Sequence, residues 1–376
     1  MQENSTNARQ YSKSKTRLTV IELIVTMLFL TIMLFSGISL RLKDLVAGWS
    51  GNFYLQVGSY LAIFSGICYL LLLGLDFYGG FLLEHRYSLS NQTVFAWLKK
   101  NTKKALLSLL LVLAAGEVLY FLLRNYPKHW WLLTTAAWLL LTIVLGRITP
   151  VLIIPLFYKC IPLADRELRE KLVRLGQECG LRIKEVFEIN LSKDTQKANA
   201  AVAGLGKSQR ILLGDTLLKN YSNDEIEAIF AHELGHIREH HIRKMLAFGA
   251  TVSLVSFYLT SLLFNAGISF FGFSKISDVS AFPLLALIMM VVGLLLMPIQ
   301  LAYLRHLERQ SDMFAIAHIE KPQSFASAMK KLANQNLADP SPSRLEELLL
   351  YDHPPVSKRL RYTFSKEVDS PEEQTA

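Results

Sequence analysis

Long apolar stretches alternate with short polar ones along this chain, and the apolar stretches dominate. They lie near residues 19–40, 55–75, 105–123, 130–149, 246–271 and 282–304. Each is long enough to cross a hydrocarbon core of about 30 Å at 1.5 Å per helical residue. The pattern predicts about six transmembrane helices. The first run follows Arg9, Lys13, Lys15 and Arg17 and ends at Arg41 and Lys43 without a small-residue cleavage site. It reads as an anchor rather than a removed signal.

Between the fourth and fifth runs the period changes. Residues 164–179 have helical spacing that ends before Gly180. Short β-type runs follow at Glu185–Asn190, Asn199–Gly204 and Arg210–Gly214, with Gly206-Lys207-Ser208 as a turn. Ser222-Asn223-Asp224-Glu225 is a capping box with Ser222 as N-cap, and Ile226, Ile229, Phe230, Leu234 and Ile237 then recur at helical spacing. Polar helical patterning returns over 305–365. The fold class expected is mainly α, a polytopic membrane protein with a small α+β domain. Its parts are a disordered basic N-terminus (1–17), a membrane domain of four spans (18–158), a cytoplasmic segment (159–244), two further spans (245–304), a C-terminal segment (305–365) and a disordered tail (366–376).

Composition agrees: 51% of the residues are hydrophobic and the mean hydropathy is +0.29, too apolar for an ordinary soluble chain. The N-terminus, the loop after the second span (Arg86, Lys99, Lys100, Lys103, Lys104), the segment after the fourth and the C-terminal region are basic. The intervening loops have few basic residues (Arg41 and Lys43; Arg124 and Lys128; Lys275), so the basic set is expected in the cytoplasm. The net charge of +9 then suits anionic lipid rather than nucleic acid, for which no compact basic and aromatic module is present. Cys68, Cys160 and Cys179 form no metal-ligand cluster and no disulfide framework. Glu117 sits inside the third run, where an ionisable residue is a functional candidate or a helix-to-helix hydrogen bonder. Arg147 is expected to snorkel and Pro298 to kink the sixth span.

The chemistry centres on His232-Glu233-Leu234-Gly235-His236. Histidines four apart share a helix face and can point at one metal ion, with the glutamate between them placed to reach a metal-bound water. Gly235 costs about 1 kcal/mol in a helix interior, which suggests that another segment approaches closely there. A catalytic zinc takes a third protein ligand. Glu308 could supply it, and Asp312, four residues on, could accept from the outer nitrogen of a ligating histidine. Taken alone, the two acids also read as a solvated pair. His240 and His241 extend the run, but His240 is about 12 Å from His232 by helical rise and is read as supporting or structural.

At this point the chain resembles the integral-membrane zinc metallopeptidases of the CAAX prenyl protease 1 family. The likeness is carried by the HELGH helix, by Arg305-x-x-Glu308-x-x-x-Asp312, by Asn199-Ala200 followed by Gly204-x-Gly206-Lys207 and Arg210–Leu218, by Glu84–Gln92, by Pro155-Leu156-Phe157 and by His353-Pro354-Pro355. It runs from about Leu83 to Leu360, departing at Leu304 and Ser311, where a small residue and an alanine are usual. The resemblance implies one Zn2+ per chain held by His232, His236 and Glu308, with Glu233 as catalytic base. Asp312 and Arg305 are expected to support the ligands. The β segment then reads as zincin-like, with Asn199 and Ala200 on an edge strand that binds substrate; on sequence alone it is also an ordinary core hairpin. His353 is a candidate hydrogen-bond donor to the transition state, with Arg359 nearby, or part of an ordering turn. The implied substrate is a peptide or protein, lipid-modified or membrane-embedded, cut in CAAX-type processing or in membrane-protein quality control. The expected setting is a bacterial inner membrane with both termini and the site cytoplasmic. The alternatives are a non-proteolytic scaffold or chaperone with structural zinc, and a transporter, which lacks the broken-helix repeats expected of one.

Overall fold

The computed structural model describes residues 2–181, 185–205 and 210–368. Helix α1 (Gln2–Phe35) is followed by the short α2 (Ile38–Ala47) and by α3 (Phe53–Phe77). A π-helical turn carries α3 on into α4 (Leu83–Arg86). Helices α5 (Val94–Asn125) and α6 (Trp130–Ile148) follow, and a second π turn leads to α7 (Ile154–Phe157). Next come β1 (Cys160–Pro162), α8 (Arg166–Glu178), β2 (Val186–Ile189), β3 (Ala200–Ala203), β4 (Arg210–Gly214), α9 (Asp215–Asn220) and α10 (Asn223–Arg238). The chain ends with α11 (His241–Phe270), α12 (Phe282–His318), α13 (Pro322–Asn336), α14 (Arg344–Leu350) and α15 (Val356–Val368).

Six helical stretches among the described residues are long and apolar enough to cross a membrane: Thr6–Phe35, Phe53–Arg86, Val94–Asn125, Trp130–Phe157, His241–Phe270 and Val279–His318. The protein is a multi-pass membrane protein. Its spans pack in a closed order, α1 on α3, α3 on α5, α5 on α6, α6 on α11, α11 on α12 and α12 back on α1. Two separate cores close the ends of this ring. At one end Tyr60, Leu61, Tyr120, Trp130, Phe264 and Leu285 are buried together beneath α2. Polar ties lock that end: Ser39 Oγ donates to the Ser280 carbonyl at 2.6 Å, and Lys43 pairs with Asp278 at 2.8 Å.

The other core belongs to the segment between the fourth and fifth spans and to the C-terminal helices. It buries Leu172 of α8, Val186 and Leu213 of the sheet, Phe230 of α10, Ala315 of α12 and Phe325 of α13. The sheet order is β1-β2-β4-β3, with β2 and β4 parallel and the outer pairs antiparallel. Strand β3 is therefore an edge. The expected strands are present, the first two with shorter bounds and Arg210–Gly214 as expected, and β1 is an addition. The turn expected at Gly206-Lys207-Ser208 lies outside the described residues. Helix α12 runs unbroken through Pro298.

One expectation needs correcting. The polar N-terminus was expected to be disordered over 1–17, yet α1 begins at Gln2. Composition misleads here because the polar groups find tertiary partners. Tyr11 and Leu18 are buried with Leu83 and Leu89. Glu84 accepts from Tyr11 Oη at 2.6 Å and pairs with Lys15 and Lys197, each at 2.8 Å. The Glu84–Gln92 stretch thereby joins the ring to the segment before β3. Its Asn91 N–H donates to the Asp194 carbonyl at 3.1 Å, and the Leu89 carbonyl accepts from the Gln196 N–H at 3.0 Å. At the other terminus α15 continues to Val368, and residues 369–376 lie outside the described range.

Gly116 of α5 packs against Leu61 of α3, where a Cβ would fall 2.2 Å from the buried Leu61 Cδ1. Gly116→Val is expected to destabilise the protein by about 1–3 kcal/mol through overpacking. A drop in the thermal unfolding temperature in detergent checks this, and an unchanged or raised temperature contradicts it.

Candidate metal centre

Helix α10 starts with the expected capping box: the Glu225 N–H donates to Ser222 Oγ at 3.3 Å, and Glu225 Oε2 accepts from the Ser222 N–H at 2.9 Å. The cap fixes where the helix begins, and so which face carries His232 and His236. That face meets α12 at Gly235. A Cβ there would lie 3.0 Å from Ser311 Cα, so only glycine lets the two backbones come this close.

The close approach brings three ligand types together. His232 Nε2 is 3.2 Å from His236 Nε2 and 3.2 Å from Glu308 Oε2, and His236 Nε2 is 3.4 Å from Glu308 Oε1. Atoms bound to one tetrahedral zinc at about 2.0–2.1 Å lie about 3.3 Å from one another. The spacing fits such an ion. Glu308 Oε2 is also buried with no aligned hydrogen-bond donor, which suits a carboxylate oxygen reserved for a cation.

The outer nitrogens are held as well. His232 Nδ1 lies 2.9 Å from Asp312 Oδ1, in an orientation short of full hydrogen-bond alignment. Asp312 is fully buried and takes both Nε and Nη2 of Arg359 from α15, Nε at 2.9 Å from Oδ2. His236 Nδ1 lies 3.0 Å from His241 Nδ1. His241 Nε2 lies 3.0 Å from Gln310 Oε1, which also accepts from Lys244 Nζ at 3.3 Å. In the neutral ring Nε2 must then carry the proton, so His241 Nδ1 accepts from His236 and leaves the His236 Nε2 lone pair free for a metal.

Burial works against charge on both rings of α10. The Asp312 and Glu308 carboxylates overcome it at His232 and hold that pKa up to about 9, while burial and the neighbouring His232 push His236 down to about 3. Burial raises the Glu233 carboxyl, and its Oε2 accepts from the Val202 N–H of β3 at 2.9 Å. His353 Nε2 is 3.2 Å from Glu308 Oε2, and its Nδ1 is 2.8 Å from Asp352 Oδ1. Despite burial, the two carboxylates hold His353 above its ordinary pKa.

Asn199, Ala200, His232, Glu233, His353 and Arg359 line one cleft of about 330 Å³. One expected residue acts elsewhere. Arg305 does not touch the ligands or Asp312; its Nη1 donates to the carbonyls of Glu347 and Tyr351 at 2.7 and 2.6 Å, tying down the stretch that leads to His353. The Arg-x-x-Glu spacing hides this because Arg305 lies nearly one turn away on α12 and faces α14. Of the two readings of His240, supporting or structural, the structural one fits. The residue has φ 55° in the left-handed region, which breaks the helix and swings His241 onto His236. Straight-helix geometry hid His241, and no sequence signal marked Asp352. Glu117, the other candidate, lies against Gly58 within the ring, away from this cleft.

Comparison with known proteins agrees with this fold. Residues 162–363 match peptidase family M48, and residues 1–159 match the CAAX prenyl protease N-terminal family, described as five membrane helices. Four helices of spanning length fall in that N-terminal part, together with the shorter α2. The uncharacterized metalloprotease YhfN of Bacillus subtilis (strain 168) is 31% identical over 98% of this chain and 87% of its own length. CAAX prenyl protease 1 of Saccharomyces cerevisiae is 30% identical over 80% of this chain and 70% of its own. The crystal structure of S. mikatae Ste24p shares the fold, with a TM-score of 0.86 at 23% identity over 96% of this chain and 89% of that one.

Asp312→Ala leaves the Arg359 guanidinium buried without its carboxylate. The expected loss is about 3–5 kcal/mol of stability, with zinc affinity falling about 10–100-fold. Thermal unfolding and zinc titration of the purified protein check both, and a variant equal to the parent in both measurements contradicts the arrangement.

Proposed function

The chain belongs to peptidase family M48 and is a membrane metalloprotease; from that premise we propose that His232, His236 and Glu308 hold one zinc ion and that Glu233 is the base for peptide-bond hydrolysis. The observation that carries this is the convergence of the three ligand atoms at 3.2–3.4 Å with the Glu233 carboxylate beside them on the same helix. A bound zinc supplies Lewis acidity toward a scissile carbonyl and a water acidified to a pKa of about 7. Glu233 takes a proton from the attacking water on its carboxylate and returns it to the leaving amine. The Val202 N–H fixes that carboxylate against the edge strand. His353, whose pKa Asp352 and Glu308 raise, donates toward the oxygen that gains charge. Arg359 acts through Asp312, holding His232 in place.

The substrate strand lies along β3, and the bound peptide belongs to a lipid-modified or membrane-embedded protein. The positive-inside asymmetry supports a cytoplasmic face for the site and for both termini. CAAX-type C-terminal processing and membrane-protein quality control are the two substrate readings. A scaffold with structural zinc has no use for the base at Glu233.

Glu233→Gln is expected to keep its zinc while cleavage falls at least about 100-fold. Metal analysis and a peptide-cleavage assay on the detergent-solubilised protein test it together. Chelation should abolish cleavage in the parent, and added zinc should restore it. Undiminished cleavage by the variant sinks the assignment of Glu233.

A further inference from the structure

An open groove of about 590 Å³ lies between α3 and α5. It shares no residue with the cleft at the metal centre. Its walls change character along the helices. Leu106, Leu109 and Val112 make one part apolar, while Asp76 and Lys104 bring opposite charges into the same space. Asp76 directly follows the apolar run 55–75 of α3, and Lys104 directly precedes the run 105–123 of α5. Both lie on the side of those runs that leads into the Glu84–Gln92 stretch. The charges therefore stand where hydrocarbon gives way to headgroups, with the apolar wall deeper in the bilayer.

These two charges are left over from the protein's own pairing. Among the described residues, neither the Asp76 nor the Lys104 side chain has a hydrogen bond or a salt bridge. The neighbouring lysines are engaged. Lys100 Nζ bonds Tyr158 Oη at 2.5 Å and Asp194 Oδ2 at 2.6 Å, and Lys103 Nζ donates to the Leu156 carbonyl at 3.4 Å. A lysine can snorkel out of such a place, but an aspartate is too short to do so. A carboxylate beside hydrocarbon is costly without a cation. Tyr69 adds a donor to the groove. Its Oη accepts from Asn101 Nδ2 at 3.3 Å, which leaves its own proton to point elsewhere. The complement to this set is a ligand that carries an anion and a cation side by side, with an apolar tail.

We propose that this groove binds a phospholipid with a phosphoethanolamine headgroup. The Lys104 ammonium and the Tyr69 hydroxyl hold the phosphate, and the Asp76 carboxylate takes the ligand's ammonium. An acyl chain lies along Leu106, Leu109 and Val112. A primary ammonium offers the carboxylate three N–H donors, whereas a quaternary one offers none. An anionic headgroup without an amine leaves Asp76 facing like charge. Gly66 makes the room on α3, because a Cβ built there meets nothing within 4 Å. The site stands apart from the proteolytic reading and does not depend on it.

The test is lipid selectivity. The full-length protein, stripped of co-purifying lipid in detergent, is given equal amounts of phosphatidylethanolamine, phosphatidylglycerol and phosphatidylcholine with the same acyl chains. Bound lipid is counted by native mass spectrometry. The parent is expected to hold the ethanolamine lipid about tenfold more than either of the others, the scale of one charge-assisted hydrogen bond. Asp76→Asn should erase that preference, and Lys104→Gln should lower retention of the ethanolamine lipid about tenfold. Gly66→Leu leaves both charges in place, adds a helix-favouring residue and fills the groove. It should lose the lipid while unfolding, without lipid, at or above the parent's temperature. Equal retention of the three lipids by the parent overturns the proposal, as does a preference for phosphatidylglycerol, which marks a merely basic surface. Unaltered selectivity in Asp76→Asn, or unaltered retention in Gly66→Leu, overturns it too. If a charge variant fails to unfold cooperatively, the Gly66→Leu result decides.

Discussion

The buried carboxylate of Asp312 is the contact on which the rest of the site depends. It stands on α12, faces His232 on α10, and binds the Arg359 guanidinium from α15 in a two-pronged pair. A fully buried carboxylate is costly unless it is paired and well bonded. Three helices must therefore arrive together for any of them to be stable there. The same requirement sets Glu308, one turn earlier on α12, opposite the two histidines.

Close packing supports that electrostatic lock. Gly235 removes the side chain that would hold α10 away from Ser311. Ser311 puts its hydroxyl 3.3 Å from His241 Nδ1. His241 in turn holds His236. The membrane ring contributes by fixing the ends of α11 and α12, whose far ends are sealed by a core of their own. The Glu84–Gln92 stretch then ties the ring to the residues entering β3. Strand β3 and the three candidate metal ligands are thus referred to one frame.

Much of this was legible along the chain because it depends on local period or fixed spacing. The six spans follow from hydrophobic runs, the start of α10 from its capping box, and the shared face of His232 and His236 from the helical repeat. Polar segments were harder. The N-terminal residues looked disordered because their composition is polar, but Tyr11 and Lys15 find Glu84, 73 positions from Tyr11. Arg305 looked like a partner of the ligands because it shares their motif, whereas its direction on α12 points it to carbonyls beyond α14.

The sequence by itself determined the membrane spans, the chemistry of the donor set and the helix that presents two of the donors. These follow from residue type and from the 3.6-residue period, neither of which needs distant contacts. Only the tertiary structure decided which polar residues serve that centre. It swung His241 onto His236 through the left-handed His240 and moved Arg359 onto Asp312. Those pairings depend on where a helix breaks and on how helices pack, which spacing along the sequence does not encode.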